Sequence, residues 1–184
     1  VCAHKWADLS DNGFGLAILN DCKYGYDASR NCLRLSLLKC STYPDPNQDQ
    51  GMHRFSYAVY PHAGNAIEAG VRARGYDFNY RAPALRIAGA QEGTLPAELS
   101  MLCVDAPNIV VETVKKAEDA NALIVRMYEA ENCRTVCRLK TAFRAASAQE
   151  TNLMEEPERA LECGPDGIAL EFHPFEIKTV MLAL

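Results

Sequence analysis

The chain has 184 residues, enough for one generous domain or two small ones, and 48% of them are hydrophobic, so a packed core is expected and disorder is not. Nineteen Lys and Arg stand against 24 Asp and Glu, a formal net charge of −5 with a sequence pI near 5.4. That balance argues against nucleic acid or an anionic membrane as partner, since both need clustered cations, and no apolar run reaches the ~20 residues of a membrane helix.

The opening, VCAHKWADLS, has no basic head followed by an apolar core and no initiator Met. A signal peptide is therefore not expected, and a start inside a longer chain is. Asp11-Asn12-Gly13 reads as a turn, and the continuous apolar run Leu16 to Leu19 suits a strand buried on both faces. Directly after it, Asn20-Asp21-Cys22-Lys23-Tyr24-Gly25-Tyr26-Asp27 packs amides, carboxylates and two tyrosines into one turn. Sugar recognition uses that combination, polar forks for hydroxyls and flat rings for C–H faces, but an Asx-stabilised hairpin with packing tyrosines explains the same residues.

Leu33, Leu35 and Leu37 alternate with Arg34 and Ser36, the period of a half-buried strand. Tyr43 to Gly51 is a polar loop stiffened by Pro44 and Pro46, suited to presenting groups to a ligand and equally to a solvated connection. Phe55, Tyr57 and Val59 resume the alternation. From Gly64 to about Gly75 the period changes: Ile67, Gly70, Val71 and Arg74 fall at helical spacing. Asn65 is placed to cap, Glu68 to complete a capping box, and Gly75 to stop the helix, with Pro83 barring continuation. The Ala-rich text at 142–150 reads as strand or loop.

Further period-two runs follow: Leu99, Met101 and Cys103; Leu123, Val125 and Met127; Ile168, Leu170 and Phe172; then Phe175, Ile177, Thr179 and Met181. Ile109 to Val111 is a second continuous apolar run, and Gly164-Pro165-Asp166-Gly167 a further turn. Short strands punctuated in this way predict an all-β fold of β-sandwich type with one short linker helix. The expected division is the last strands of a large sandwich (1–64), a linker helix and extended segment (65–83), and a smaller terminal sandwich (84–184).

Eight cysteines include no C-x-x-C pair; the closest two are Cys133 and Cys137. This favours reduced thiols in a cytoplasmic protein over a disulfide framework or a zinc site. No nucleophile elbow, P-loop, dinucleotide fingerprint or H-E-x-x-H motif occurs. His4, His53, His62 and His173 are scattered and read as structural or surface residues. Carboxylates are plentiful, but a glycosidase pair is defined by separation in space.

One set of segments stands out together: His4-Lys5-Trp6-Ala7-Asp8-Leu9-Ser10, GLAILNDCKYGY at 15–26, LRLSLL at 33–38, YPDP and DQGMH at 43–53, and FSYAVYPH at 55–62. In this order they resemble the C-terminal region of glycoside hydrolase family 38 α-mannosidases of the bacterial and vacuolar type. ETNLME at 150–155 and FEIKT at 175–179 continue the resemblance in order to the end.

The resemblance implies hydrolysis of terminal non-reducing α-mannose with retention, through an aspartate nucleophile and a zinc ion held by two His and two Asp. In the family these lie in an N-terminal catalytic domain that this chain lacks, so no catalytic residue and no metal ligand is expected here. The implied partners are that missing domain and a mannose-containing oligosaccharide, with a homo-oligomer as a further expectation. Carried over residue by residue, the substrate-rim candidates are Asn20, Asp21, Tyr24, Tyr26, Lys39, Asp45, Asp49 and His53. Lys39 stands where the family more often has Arg, which removes the fork needed for a bidentate contact. From a different class come two rivals, a free-standing carbohydrate-binding module and a structural or oligomerisation domain.

Overall fold

The computed structural model describes residues 1–89 and 92–184, which fall into two compact units, Val1–Gly89 and Ala90–Leu184. In the first, β1 (Trp6–Ser10), β2 (Phe14–Asn20) and β5 (Tyr57–Ala63) form an antiparallel sheet in the order β1-β2-β5, and β3 (Tyr26–Ser29) pairs with β4 (Cys32–Leu35). The β1–β2 turn is closed by Asp11, whose Oδ1 accepts the N–H groups of Gly13 and Phe14 at 2.6 and 2.9 Å.

Helix α1 (Val71–Asn79) belongs to this unit and covers one face of the sheet. Trp6, Ala17, Leu19, Ala58 and Tyr60 pack there with Val71 and Phe78. Small residues let the helix sit close: a Cβ on Gly75 would stand 2.6 Å from Trp6 Cδ1. The opposite face carries Phe14, Tyr57 and Val59, exposed at 60%, 53% and 58%, beside half-buried Leu16 and Ile18.

Two expectations change here. The inward set of β5 is Ala58, Tyr60 and His62, not Tyr57 and Val59, because α1 seats on the face that carries Ala17, Leu19, Ala58 and Tyr60. For the same reason Leu16–Leu19 is fully buried only at Ala17 and Leu19.

The capping box forms as the spacing predicts: Asn65 Oδ1 accepts from Ile67 and Glu68, and Glu68 Oε2 accepts from Asn65. It closes a turn, however, and the helix proper begins after Gly70, whose φ is 63°. Gly75 lies inside the helix rather than ending it, since what demands glycine there is the approach to Trp6.

The second unit is a β-sandwich. Its larger sheet runs β11-β10-β13-β8-β7, from β7 (Ile109–Lys116), β8 (Ala122–Glu129), β10 (Ser147–Thr151), β11 (Pro157–Leu161) and β13 (Ile177–Ala183). The smaller runs β12-β9-β6, from β6 (Leu102–Val104), β9 (Thr135–Thr141) and β12 (Ile168–Phe172). Val125, Met127 and Val180 of one sheet share a core with Leu139, Leu170 and Phe172 of the other. The alternation at 123–127 and 168–172 therefore has the expected phase. At 99–103 it does not: Leu99 and Met101 are exposed, while Leu102 and Val104 face the core. Among the described residues no helix is long and apolar enough to cross a membrane.

Candidate functional site

The turn following β2 is organised by Asn20, whose side chain is fully buried. Its Nδ2 donates to the Tyr26 hydroxyl at 2.5 Å and its Oδ1 accepts the Lys23 N–H at 2.7 Å. Asn79 Nδ2 on α1 donates to the Asn20 carbonyl at 2.9 Å, so the helix helps to fix the turn. Tyr26 is also buried, and burial pushes its hydroxyl above the ordinary range although the Asn20 bond opposes this. These two polar groups serve each other beneath the surface and hold the turn in shape.

Asp21 and Tyr24 lie outside that pair. The Asp21 carboxylate accepts the Ser56 N–H at 2.9 and 3.0 Å, tying the turn to the chain entering β5, and that bond holds the carboxyl below its usual value. Tyr24 is 47% exposed, with its ring 4.6 Å from that of His4. Lys23 Nζ sits 4.8 Å over the Phe55 ring. Exposed His4 and half-buried Phe55 thus border the turn. From the sequence His4 is a structural or surface residue and Phe55 part of a strand alternation, because both pairings depend on contacts distant along the chain.

The second cluster of candidates closes on itself. Asp45 Oδ1 accepts the Asn47 N–H at 2.8 Å, and the Asp49 carbonyl, at a residue with φ of 59°, accepts from His53 Nε2 at 2.8 Å. Lys39 is exposed. The structure therefore joins Asn20 to Tyr26 and Asp49 to His53. Among the described residues no hydrogen bond or ion pair links the 20–26 turn to residues 39–53.

A further pair escaped the sequence reading. His62 Nε2 meets Asp8 Oδ2 at 2.7 Å with both side chains almost fully buried. Their separation of 54 residues leaves no local signal. No group of three or more His, Cys, Asp or Glu could hold a metal ion among the described residues, so the side chains here do not fit the zinc set that the resemblance implies.

Comparison with known proteins agrees with the motif reading. A family model described as the glycosyl hydrolases family 38 C-terminal domain matches residues 1–47. Another, the glycosyl hydrolases family 38 C-terminal beta sandwich domain, matches residues 108–180. The chain is 38% identical over 189 residues to Alpha-mannosidase 2C1 of Homo sapiens and 35% identical over 182 residues to Alpha-mannosidase G of Dictyostelium discoideum. These alignments take in 100% and 97% of this chain but 18% and 17% of those proteins, so the chain spans less than a fifth of the length of these curated relatives. The crystal structure of an alpha-mannosidase from Enterococcus faecalis shares the fold, with a TM-score of 0.77 and 22% identity over 100% of this chain and 21% of that one.

Proposed function

Since the chain belongs to glycosyl hydrolase family 38 as part of its C-terminal β region, we propose that it is the non-catalytic portion of a retaining α-mannosidase. The parent enzyme removes terminal non-reducing α-D-mannose residues, and its zinc and nucleophile lie in an upstream catalytic domain. This portion supports that domain and contributes the 20–26 turn and the 39–53 loop to the active-site rim. Tyr24 offers a ring and Asp45 and Asp49 offer acceptors, while Asn20 and Tyr26 keep the turn rigid from below. The eight thiols, free in the structure, fit a cytoplasmic location.

The observation that carries this reading is the uncovered face of the β1-β2-β5 sheet. Phe14, Leu16 and Ile18 follow one another along this face of β2, with Val59 and Tyr57 on the neighbouring β5, and Phe14, Val59 and Tyr57 are each more than half exposed, as expected of a surface normally closed by more polypeptide. The relatives supply a candidate for that cover, since most of their length lies outside the matched region.

The test is turnover of an aryl α-mannoside by the 184-residue chain and by the whole protein, each with and without Val59→Asp. The chain alone is expected to be inactive with or without added zinc. Val59→Asp is expected to lower activity and melting temperature in the whole protein while leaving the melt of the shorter chain unchanged, because Val59 is already 58% exposed there. Zinc-dependent hydrolysis by the repurified short chain overturns the reading. So does a whole protein indifferent to Val59→Asp. The exposed Tyr24–His4 ring pair favours the rival sugar-binding module, and specific mannose binding by the short chain alone is the outcome that selects it.

A further inference from the structure

Residues 90–184 carry sixteen Asp and Glu against nine Lys and Arg, so cations are the scarcer charge in this unit. Five of the nine have hydrogen-bonding or ionic partners: Lys115 with Glu118 and Glu155, Arg126 with Thr179, Arg134 with Glu171, Arg159 with Glu150, and Lys178 with Glu150 and Glu176. The other four, Lys116, Arg138, Lys140 and Arg144, make no side-chain hydrogen bond or ion pair among the described residues. Three of these four, all but Lys116, line a single cleft of about 1400 Å³.

The strand geometry produces the convergence. Cys137 and Leu139 of β9 are buried in the sandwich core, so Arg138 and Lys140 project together from the opposite face, about 6.6 Å apart along the strand. Arg144 joins them from the segment that follows β9. The facing wall is the Gly164–Gly167 turn, held by a Gly167 N–H to Gly164 carbonyl bond of 3.1 Å. This turn can lie against β9 only because position 167 is glycine. Its φ is +102°, and a Cβ there would stand 2.6 Å from the Leu139 carbonyl oxygen and 3.2 Å from Lys140 Cγ.

Two carboxylates share the lining, those of Asp105 and Asp166. Asp105 Oδ1 accepts the Arg138 backbone N–H at 2.7 Å, and the Arg138 guanidinium forms no ion pair with this carboxylate. The side chains still sum to a positive site, and a cleft concentrates that field. Two guanidinium forks and an ammonium suit an oxyanion that can take several charge-assisted hydrogen bonds at once.

We propose that this cleft of the terminal sandwich binds a phosphate group, either as the free ion or as the monoester of a sugar. The site lies within residues 105–168 and is independent of the rim residues at 20–53 and of the proposed hydrolytic role.

The test is calorimetric titration of the 184-residue chain with inorganic phosphate, and separately with a hexose 6-phosphate, against chloride at matched ionic strength. Both phosphate ligands are expected to bind where chloride does not, with affinity falling steeply as salt rises. Tighter binding of the hexose 6-phosphate identifies the sugar monoester as the ligand, and equal binding identifies the free ion. Arg144→Gln and Lys140→Gln, both exposed changes that should leave the thermal melt unaltered, are each expected to weaken binding by about tenfold. Lys116→Gln, outside the cleft, is expected to leave it unchanged. The proposal is overturned if phosphate and chloride behave alike. It is also overturned if Lys116→Gln weakens binding as much as Arg144→Gln does.

Discussion

His62 Nε2 lies 2.7 Å from Asp8 Oδ2, a bond that reaches from β5 to β1 across the central strand, over Gly15. The space for it exists because residue 15 has no side chain: a Cβ there would stand 2.2 Å from His62 Cε1 and 2.5 Å from Ser10 Cβ. The Asp8 bond lifts the imidazole above its ordinary 6.5, with burial opposing. A group whose folded value is raised stabilises fully below the unfolded value and loses that contribution as pH rises through the folded one. Thermal melts of the chain should therefore show a loss of stability above about pH 6.5 that His62→Ala abolishes. Gly15→Ala should cost about 1–3 kcal/mol through overpacking. A melt of Gly15→Ala matching the parent would show that the strands yield freely at this crossing.

Glu129 forms a different kind of anchor, in the second unit. It is 1% exposed, and burial alone would raise its carboxyl. The Phe175 N–H at 2.9 Å, Asn108 Nδ2 at 2.9 Å and the Glu131 N–H at 2.7 Å outweigh that and bring it down to about 2. A depressed carboxylate stabilises above its unfolded value of about 4.5 and loses the effect as pH falls toward 2. Glu129→Gln turns an N–H₂ toward one of these donors and should cost about 1–3 kcal/mol. Urea unfolding at neutral pH measures the loss, and the gap between parent and variant should narrow in acid. A gap that holds constant down to low pH would mean the carboxylate charge is not what stabilises the site.

What was legible in the sequence is what local chemistry decides. The Asn65–Glu68 box, the Asp11 turn and the 123–127 and 168–172 alternations each depend on neighbours or on a two-sided core. What misled was tertiary choice between two faces that look alike in sequence. β5 could bury Tyr57 and Val59 or Ala58 and Tyr60, and only the seat of α1 decides. Gly75 resembled a helix stop because the indole that requires it, Trp6, lies 69 positions earlier in the chain. In the candidate rim the polarity of 20–26 was visible. The alternative of an Asx-stabilised turn with packing tyrosines describes Asn20 and Tyr26, but which tyrosine packs and which stays exposed was not legible, since the Asn79 contact that helps to fix the turn is 59 residues away.

The thiols separate sharply by environment. Cys137 is buried in the sandwich core, and burial pushes its thiol up to about 11, with Asp105 adding to the rise. Cys2, Cys22, Cys40, Cys103, Cys133 and Cys163 are exposed, and Cys32 is half-buried. Mass spectrometry after brief native alkylation should find Cys137 unmodified and the exposed six modified, with all eight reacting after denaturation. Early modification of Cys137 would mean that β9 opens on the timescale of labelling.

Lys178 provides the sharpest test of how the terminal sandwich closes. It lies on β13 in phase with the buried Val180 and Leu182, yet it carries an ammonium and is only 8% exposed. Glu150 of β10 meets it at 2.7 Å and Glu176 at 3.0 Å, while Arg159 of β11 holds the second Glu150 oxygen at 2.5 Å. Three neighbouring strands are thereby joined by one chain of charges at the edge of the core. Burial opposes the charged lysine, but the two carboxylates more than offset this and raise its value. Removing one member leaves the other charges desolvated without their partner, so Lys178→Met should cost roughly 3–5 kcal/mol. Replacing the pair together removes that mismatch. Lys178→Met combined with Glu150→Leu should lose clearly less than the two single changes summed, a coupling that denaturant unfolding of all four proteins resolves. Strict additivity would mean that the charges act separately and that packing alone closes this edge of the sandwich.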